Sequence, residues 1–131
     1  MALFPGALEL VKAFKRRGVP MAIATSSERA GMLLKTSFHP ELMSMIDVVI
    51  TGDQVTNSKP APDIFLKAAA ALGVPANECL VFEDAPSGVL AGKAAGARVV
   101  AIPDARFAAW NGPERFASAD VILKRLADYV V

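Results

Sequence analysis

Two short stretches decide how this chain reads: Ser58-Lys59-Pro60-Ala61-Pro62-Asp63 and Val81-Phe82-Glu83-Asp84-Ala85-Pro86-Ser87-Gly88. Each sets charge beside a chain-reversing proline or glycine. The first offers a lone ammonium before a Pro-x-Pro turn. The second offers two adjacent carboxylates at the end of an apolar run. A cation and a carboxylate pair, both displayed on loops, suit a phosphate bound together with a hard divalent metal. No Asp-x-Asp segment occurs in the chain.

Outward from these stretches, helices and strands alternate. Pro5-Gly6 opens a helix with Leu8, Leu10, Val11 and Phe14 on its apolar side, and Gly18 stops it. Met21 to Ala24 reads as a buried strand ending in the hydroxyl cluster Thr25-Ser26-Ser27. Glu28 to Thr36 reads helical, and Glu41 to Met45 forms a short helix. Asp47 to Thr51 is a β-branched strand ended by Gly52-Asp53. Pro62 opens a helix running to Leu72, with Gly73 as its stop. Cys79 to Phe82 is a strand, Pro86 to Ala95 a helix stopped by Gly96, and Arg98 to Ile102 a strand. Asp104 to Glu114 is a loop containing Trp110, and Asp120 to Leu123 a short last strand. Apolar strands without alternation are buried on both faces, which predicts an α/β fold: a parallel sheet covered by helices on both sides. Such sheets place ligands at the C-terminal strand ends. Polar groups follow each of the first four strands: Thr25-Ser26-Ser27, Gly52-Asp53, Glu83-Asp84 and Asp104.

Composition narrows the function classes. The 131 residues are 53% hydrophobic and 21% charged, enough for one domain with a sizeable core. With 14 basic and 13 acidic residues, the net charge of +1 makes no electrostatic case for nucleic acid or an anionic membrane. No apolar run approaches the ~20 residues that span a bilayer, and the N-terminus does not read as a signal peptide. The single cysteine, Cys79, has no partner for an internal disulfide and reads as a buried thiol in a reducing, cytoplasmic setting.

Each candidate group has a plainer alternative. Thr25 and Ser26 sit at a strand-to-helix junction that can bind an anion, or Ser27 simply caps the next helix. Lys59 is a fixed cation for phosphoryl oxygens, or a solvated surface lysine. Glu83 and Asp84, crowded at a buried strand's tip, call for a compensating cation; alternatively Asp84 caps the following helix and Glu83 faces solvent. Asp63 caps its helix or lies in its first turn. His39 is a substrate contact or, more simply, a structural or exposed loop histidine, and Trp110 reads as partial core rather than a recognition platform.

Ala24-Thr25-Ser26-Ser27, Ser58-Lys59-Pro60-Ala61-Pro62-Asp63-Ile64-Phe65 and Val81-Phe82-Glu83-Asp84-Ala85-Pro86-Ser87-Gly88 resemble the second, third and fourth motifs of the haloacid dehalogenase-like hydrolases. The likeness covers nearly the whole chain. It falls in the branch with β-phosphoglucomutase and small-molecule phosphatases, and is most similar to pseudouridine-5′-phosphatase-like members.

The resemblance implies a Rossmann-like three-layer core and a magnesium-dependent phosphatase acting on a small phosphorylated metabolite. It implies that Thr25 and the Ser26 backbone hold the phosphoryl group, that Lys59 holds that group and the nucleophile, and that Asp84 binds Mg2+ with Glu83 assisting. In the family an aspartate on a first strand attacks phosphorus, a second acts as acid and base, and a helical cap follows. None of these is found in residues 1–131. The expectation is therefore a single core domain over 1–131, the C-terminal part of an enzyme, truncated and inactive alone. A non-catalytic binding domain and a sugar phosphomutase are the alternatives. The absent strand would lie between the first and third strands seen here. That leaves three expected outcomes: the two edges pair directly, self-association or another segment fills the gap, or the chain is marginally folded.

Overall fold

The computed structural model describes residues 6–26, 40–103 and 116–131. Helix α1 spans Ala7–Arg16. Its end is set by Gly18, whose φ of 71° suits a residue without a Cβ. Gly18 N–H donates to the Lys15 carbonyl and Val19 N–H to that of Phe14. Strand β1 (Ala22–Thr25) follows, then the short helix α2 (Pro40–Ser44) and strand β2 (Val48–Thr51). A single 3-10 turn, Gly52–Gln54, leads into a loop and helix α3 (Asp63–Leu72), closed by Gly73 at φ 73°. Strand β3 (Leu80–Glu83), helix α4 (Pro86–Ala94), strand β4 (Arg98–Ala101) and strand β5 (Val121–Ile122) complete the order. The helix expected at residues 28–36, with Ser27 and His39, lies outside the described residues. So does the loop with Asp104 and Trp110.

Every strand pairing is parallel. β1 pairs with β2, Thr25 opposite Thr51. β3 pairs with β4, Glu83 opposite Ala101, and β4 with β5. The α/β class expected from the apolar runs is therefore the class observed. Each half has its own core. Ile50, Ile64 and Ala68 fill one; Val81, Val89, Ala97, Val99, Ala101 and Phe116 fill the other, and Phe65 of α3 packs against both. Removing a valine such as Val99 from water stabilises the fold by about 1.5–3 kcal/mol.

The two halves are separate sheets, β1-β2 and β3-β4-β5. Direct pairing of β1 with β3, one of the expected outcomes, does not occur. A cavity of about 580 Å³ lies there instead, lined by Ala22, Ile23 and Ala24 of β1 and by Val81, Phe82 and Glu83 of β3. Leu10, Val11 and Phe14 of α1 and Ala68, Ala69 and Leu72 of α3 supply its other walls. Paired strands lie near 4.8 Å apart, and β1 and β3 do not pair. Phe14 meets Phe82 edge-on with centroids 6.0 Å apart, and Tyr129 meets Phe82 at 5.0 Å. Cys79 is half-buried rather than buried. Its Sγ lies 3.4 Å from the Pro75 carbonyl, and burial raises the thiol's pKa.

Candidate functional site

The C-terminal ends of β1, β2 and β3 form one rim: β1 and β2 pair in parallel, and Lys59 reaches both Ala24 near the end of β1 and Glu83 at the end of β3. Thr25 is the last residue of β1 and Ser26 follows it, exposed. Across from them β2 ends in Thr51, which is fully buried. Thr51 N–H donates to Gln54 Oε1 at 2.8 Å, and the Thr51 hydroxyl lies within reach of both Asp53 Oδ1 and Gln54 Oε1. That reciprocal capping box fixes the 3-10 turn. Gly52 within it lies against the backbone of Ser26. A Cβ there would fall 3.0 Å from the Ser26 carbonyl carbon and closer still to its oxygen. The β2 turn thus backs the Ser26 loop at a distance only glycine permits.

Lys59 comes from the loop before α3. Asp63 lies in the first turn of that helix, and its Oδ2 accepts from the Asn57 backbone N–H at 3.1 Å and side-chain amide at 3.2 Å. Lys67 Nζ donates to the Gln54 carbonyl at 2.7 Å, tying α3 to the β2 turn. The loop so braced sends Lys59 inward across the rim. Its Nζ lies 3.5 Å from the Ala24 carbonyl on β1 and 2.9 Å from Glu83 Oε2 on β3. It also sits 4.9 Å from the centre of the Phe65 ring. Only 10% of the Lys59 side chain is exposed, so the solvated-lysine alternative does not hold.

Glu83 is equally sequestered, at 10% exposure, and does not face solvent. Burial pushes its carboxyl pKa above the ordinary value, against the pull of the Lys59 ammonium; the neighbouring Asp84 adds to the rise. The cation that crowded carboxylates require is thus partly supplied from within, by Lys59. Asp84 does not cap α4: the N-cap is Ala85, Pro86 takes the first helical position, and no side chain caps the helix. Asp84 instead keeps its carboxylate at the rim, with its N–H 3.3 Å from Glu83 Oε1.

One lysine therefore joins the neighbours of both other candidate groups, Ala24 beside Thr25 and Glu83 beside Asp84. Among the described residues no three acidic, His or Cys groups cluster to cage a metal. A magnesium ion needs no such cage, because it takes one or two carboxylates and completes its shell with water and substrate oxygens. Asp84 fits that requirement, while Glu83 Oε2 is committed to Lys59. Sequence reasoning missed the Asn57–Asp63 brace and the close packing of Gly52. The six-residue spacing of the first pair was a signal; the second depends on tertiary contact and leaves none.

A family model for haloacid dehalogenase-like hydrolases matches residues 1–96. A probable pseudouridine-5′-phosphatase of Drosophila melanogaster is 43% identical over 132 aligned residues, covering 97% of this chain and 55% of that protein. A (DL)-glycerol-3-phosphatase of Arabidopsis thaliana is 47% identical over 109 residues, covering 79% and 45%. Among solved structures, CbbY from Rhodobacter sphaeroides in complex with phosphate superposes with a TM-score of 0.85 at 32% identity, covering 96% of this chain and 55% of that one. The chain thus spans about half the length of these relatives.

Proposed function

The chain belongs to the haloacid dehalogenase-like hydrolases, and from that membership we propose that it carries the phosphate- and magnesium-binding side of a phosphatase acting on small organic phosphate monoesters. The observation that carries the reading is Lys59, drawn between the ends of β1 and β3 and bonded to both. A phosphoryl group at this rim meets the Thr25 hydroxyl and Ser26 backbone on one side and the Lys59 ammonium on the other. These fixed donors favour a dianion without reorganising around it. Magnesium, held by Asp84, would neutralise phosphate charge. Glu83 keeps Lys59 in place. Two relatives named as phosphatases and a neighbour crystallised with phosphate support the substrate class.

The chain has no Asp-x-Asp segment, and the carboxylate that does lie next to Lys59, that of Glu83, is taken up by the ammonium, so the nucleophile comes from elsewhere. We place it on an additional parallel strand in the cavity between β1 and β3, contributed by a segment outside these residues or by another chain. Four walls are ready for it: two unpaired strand edges and the apolar sides of α1 and α3. Residues 1–131 then form one core domain needing only that strand to complete its sheet.

The test is phosphate release from small phosphate monoesters in the presence of magnesium. The 131-residue chain alone is expected to show no turnover above background. Magnesium-dependent turnover by these residues alone, abolished by Lys59→Ala, would overturn the assignment of the nucleophile to another segment.

A further inference from the structure

We infer that Gly88, in the first turn of α4, is a positioning residue that sets where Lys59 points, acting through Glu83. The inference deepens the reading of Lys59 as the phosphate cation and rests on it for its functional meaning. Gly88 is buried, and its φ is not in the left-handed region. Backbone conformation therefore does not require glycine here, and alanine would ordinarily be the better residue inside a helix.

What requires glycine is room. A Cβ on Gly88 would overlap three atoms of Glu83: Cγ, Cδ and Oε2. All three lie nearer than real Cβ atoms approach. Oε2 is the oxygen that accepts from Lys59 Nζ at 2.9 Å, while Oε1 faces the Asp84 N–H at 3.3 Å. The Glu83 carboxylate thus lies over the bare Cα of Gly88, confined between the helix and the ammonium. Every other residue type carries the offending Cβ. Any substitution must push the carboxylate aside, leaving Lys59 with only the Ala24 carbonyl at 3.5 Å and the face of Phe65 to hold it.

The test compares the parent chain with Gly88→Ala, Glu83→Ala and the double variant. One readout is the rate at which an amine-acylating reagent labels Lys59, followed by peptide mass spectrometry. The other is the thermal midpoint. Gly88→Ala is expected to speed labelling of Lys59 about tenfold, the scale of one lost charged hydrogen bond. Glu83→Ala should reach a similar rate, and adding Gly88→Ala to it should leave the rate unchanged and should not lower the midpoint, because the clashing side chain is gone and alanine is the better helix former. Unchanged labelling in a folded Gly88→Ala chain, or an equal fall in midpoint in both backgrounds, overturns the inference. If Gly88→Ala alone does not fold, the double variant decides: a folded double variant supports the clash with Glu83, and an unfolded one refutes it. Inorganic phosphate separates the two readings. If it fails to slow labelling of Lys59 in the parent chain, the phosphate assignment falls while the Gly88–Glu83 coupling stands or falls on its own data.

Discussion

A lysine and a glutamate each 10% exposed need one another, and at Lys59 and Glu83 the need is unequal. Glu83 has a pKa raised chiefly by burial, so folding penalises its ionised form relative to the unfolded chain even with the Lys59 ammonium beside it. A raised carboxyl pKa contributes stability that is fully present below the ordinary value of 4.5 and is lost as pH rises through the folded value. Removing the ammonium should raise that folded value further. Lys59→Ala is therefore expected to destabilise by roughly 3–5 kcal/mol at neutral pH, the cost of a buried charge left unpaired, and by much less near pH 4.5. Urea melts at both pH values check this; a penalty independent of pH would contradict it. The motif stretches displayed Lys59 and Glu83 plainly in the sequence. Their pairing with each other was not legible, because residues 24 apart meet only once the loop before α3 turns inward. Compensation for Glu83 was expected from a metal and comes in part from a side chain.

Elements were legible where their ends have local causes. Gly18 and Gly73 stop α1 and α3, as the sequence led one to expect. β1 and β3 each run one residue past the expected C-terminal boundary, because Thr25 and Glu83 are polar yet continue the ladder opposite Thr51 and Ala101, whereas β4 and β5 end a residue short. Polarity marks where the rim begins, and backbone pairing carries on into it. Between elements, Asp120 joins three. Its Oδ2 accepts from the Val99 N–H of β4 at 2.7 Å and pairs with Lys93 of α4 at 3.0 Å, just before β5. The Val99 N–H first, then Lys93, hold its pKa below the ordinary 3.8. A depressed carboxyl pKa stabilises above the ordinary value, and that contribution is lost as pH falls through the folded one. Asp120→Asn should accordingly melt with a flatter acid limb than the parent; matching limbs would mean that Asp120 contributes nothing. The aromatic bridge works at the same scale. Phe82→Ala removes the ring that meets both Phe14 and Tyr129. It should cost about 3 kcal/mol, the lower end for a phenylalanine deletion given its partial burial. Equilibrium denaturation reads that loss directly, and a change below about 1 kcal/mol would show that the bridge carries little.

At the scale of the molecule, parallel pairing brings the ends of β1 and β2 to one rim, and Lys59 joins the end of β3 to it. The order of elements in the sequence was enough to foresee that rim. The resemblance also placed a gap between β1 and β3, where the absent strand would lie; which of the expected outcomes the gap takes was not legible, and the structure keeps the two strands in separate sheets. No helix among the described residues is long and apolar enough to cross a membrane. The most direct measurement is an amide-resolved NMR titration of the 131-residue chain with inorganic phosphate, without and then with magnesium. Saturable shifts at Thr25, Ser26 and the Lys59 loop, joined by Asp84 when magnesium is added, are the predicted result. Shifts confined to the opposite, N-terminal ends of the strands, or no saturable shift at all, would contradict it.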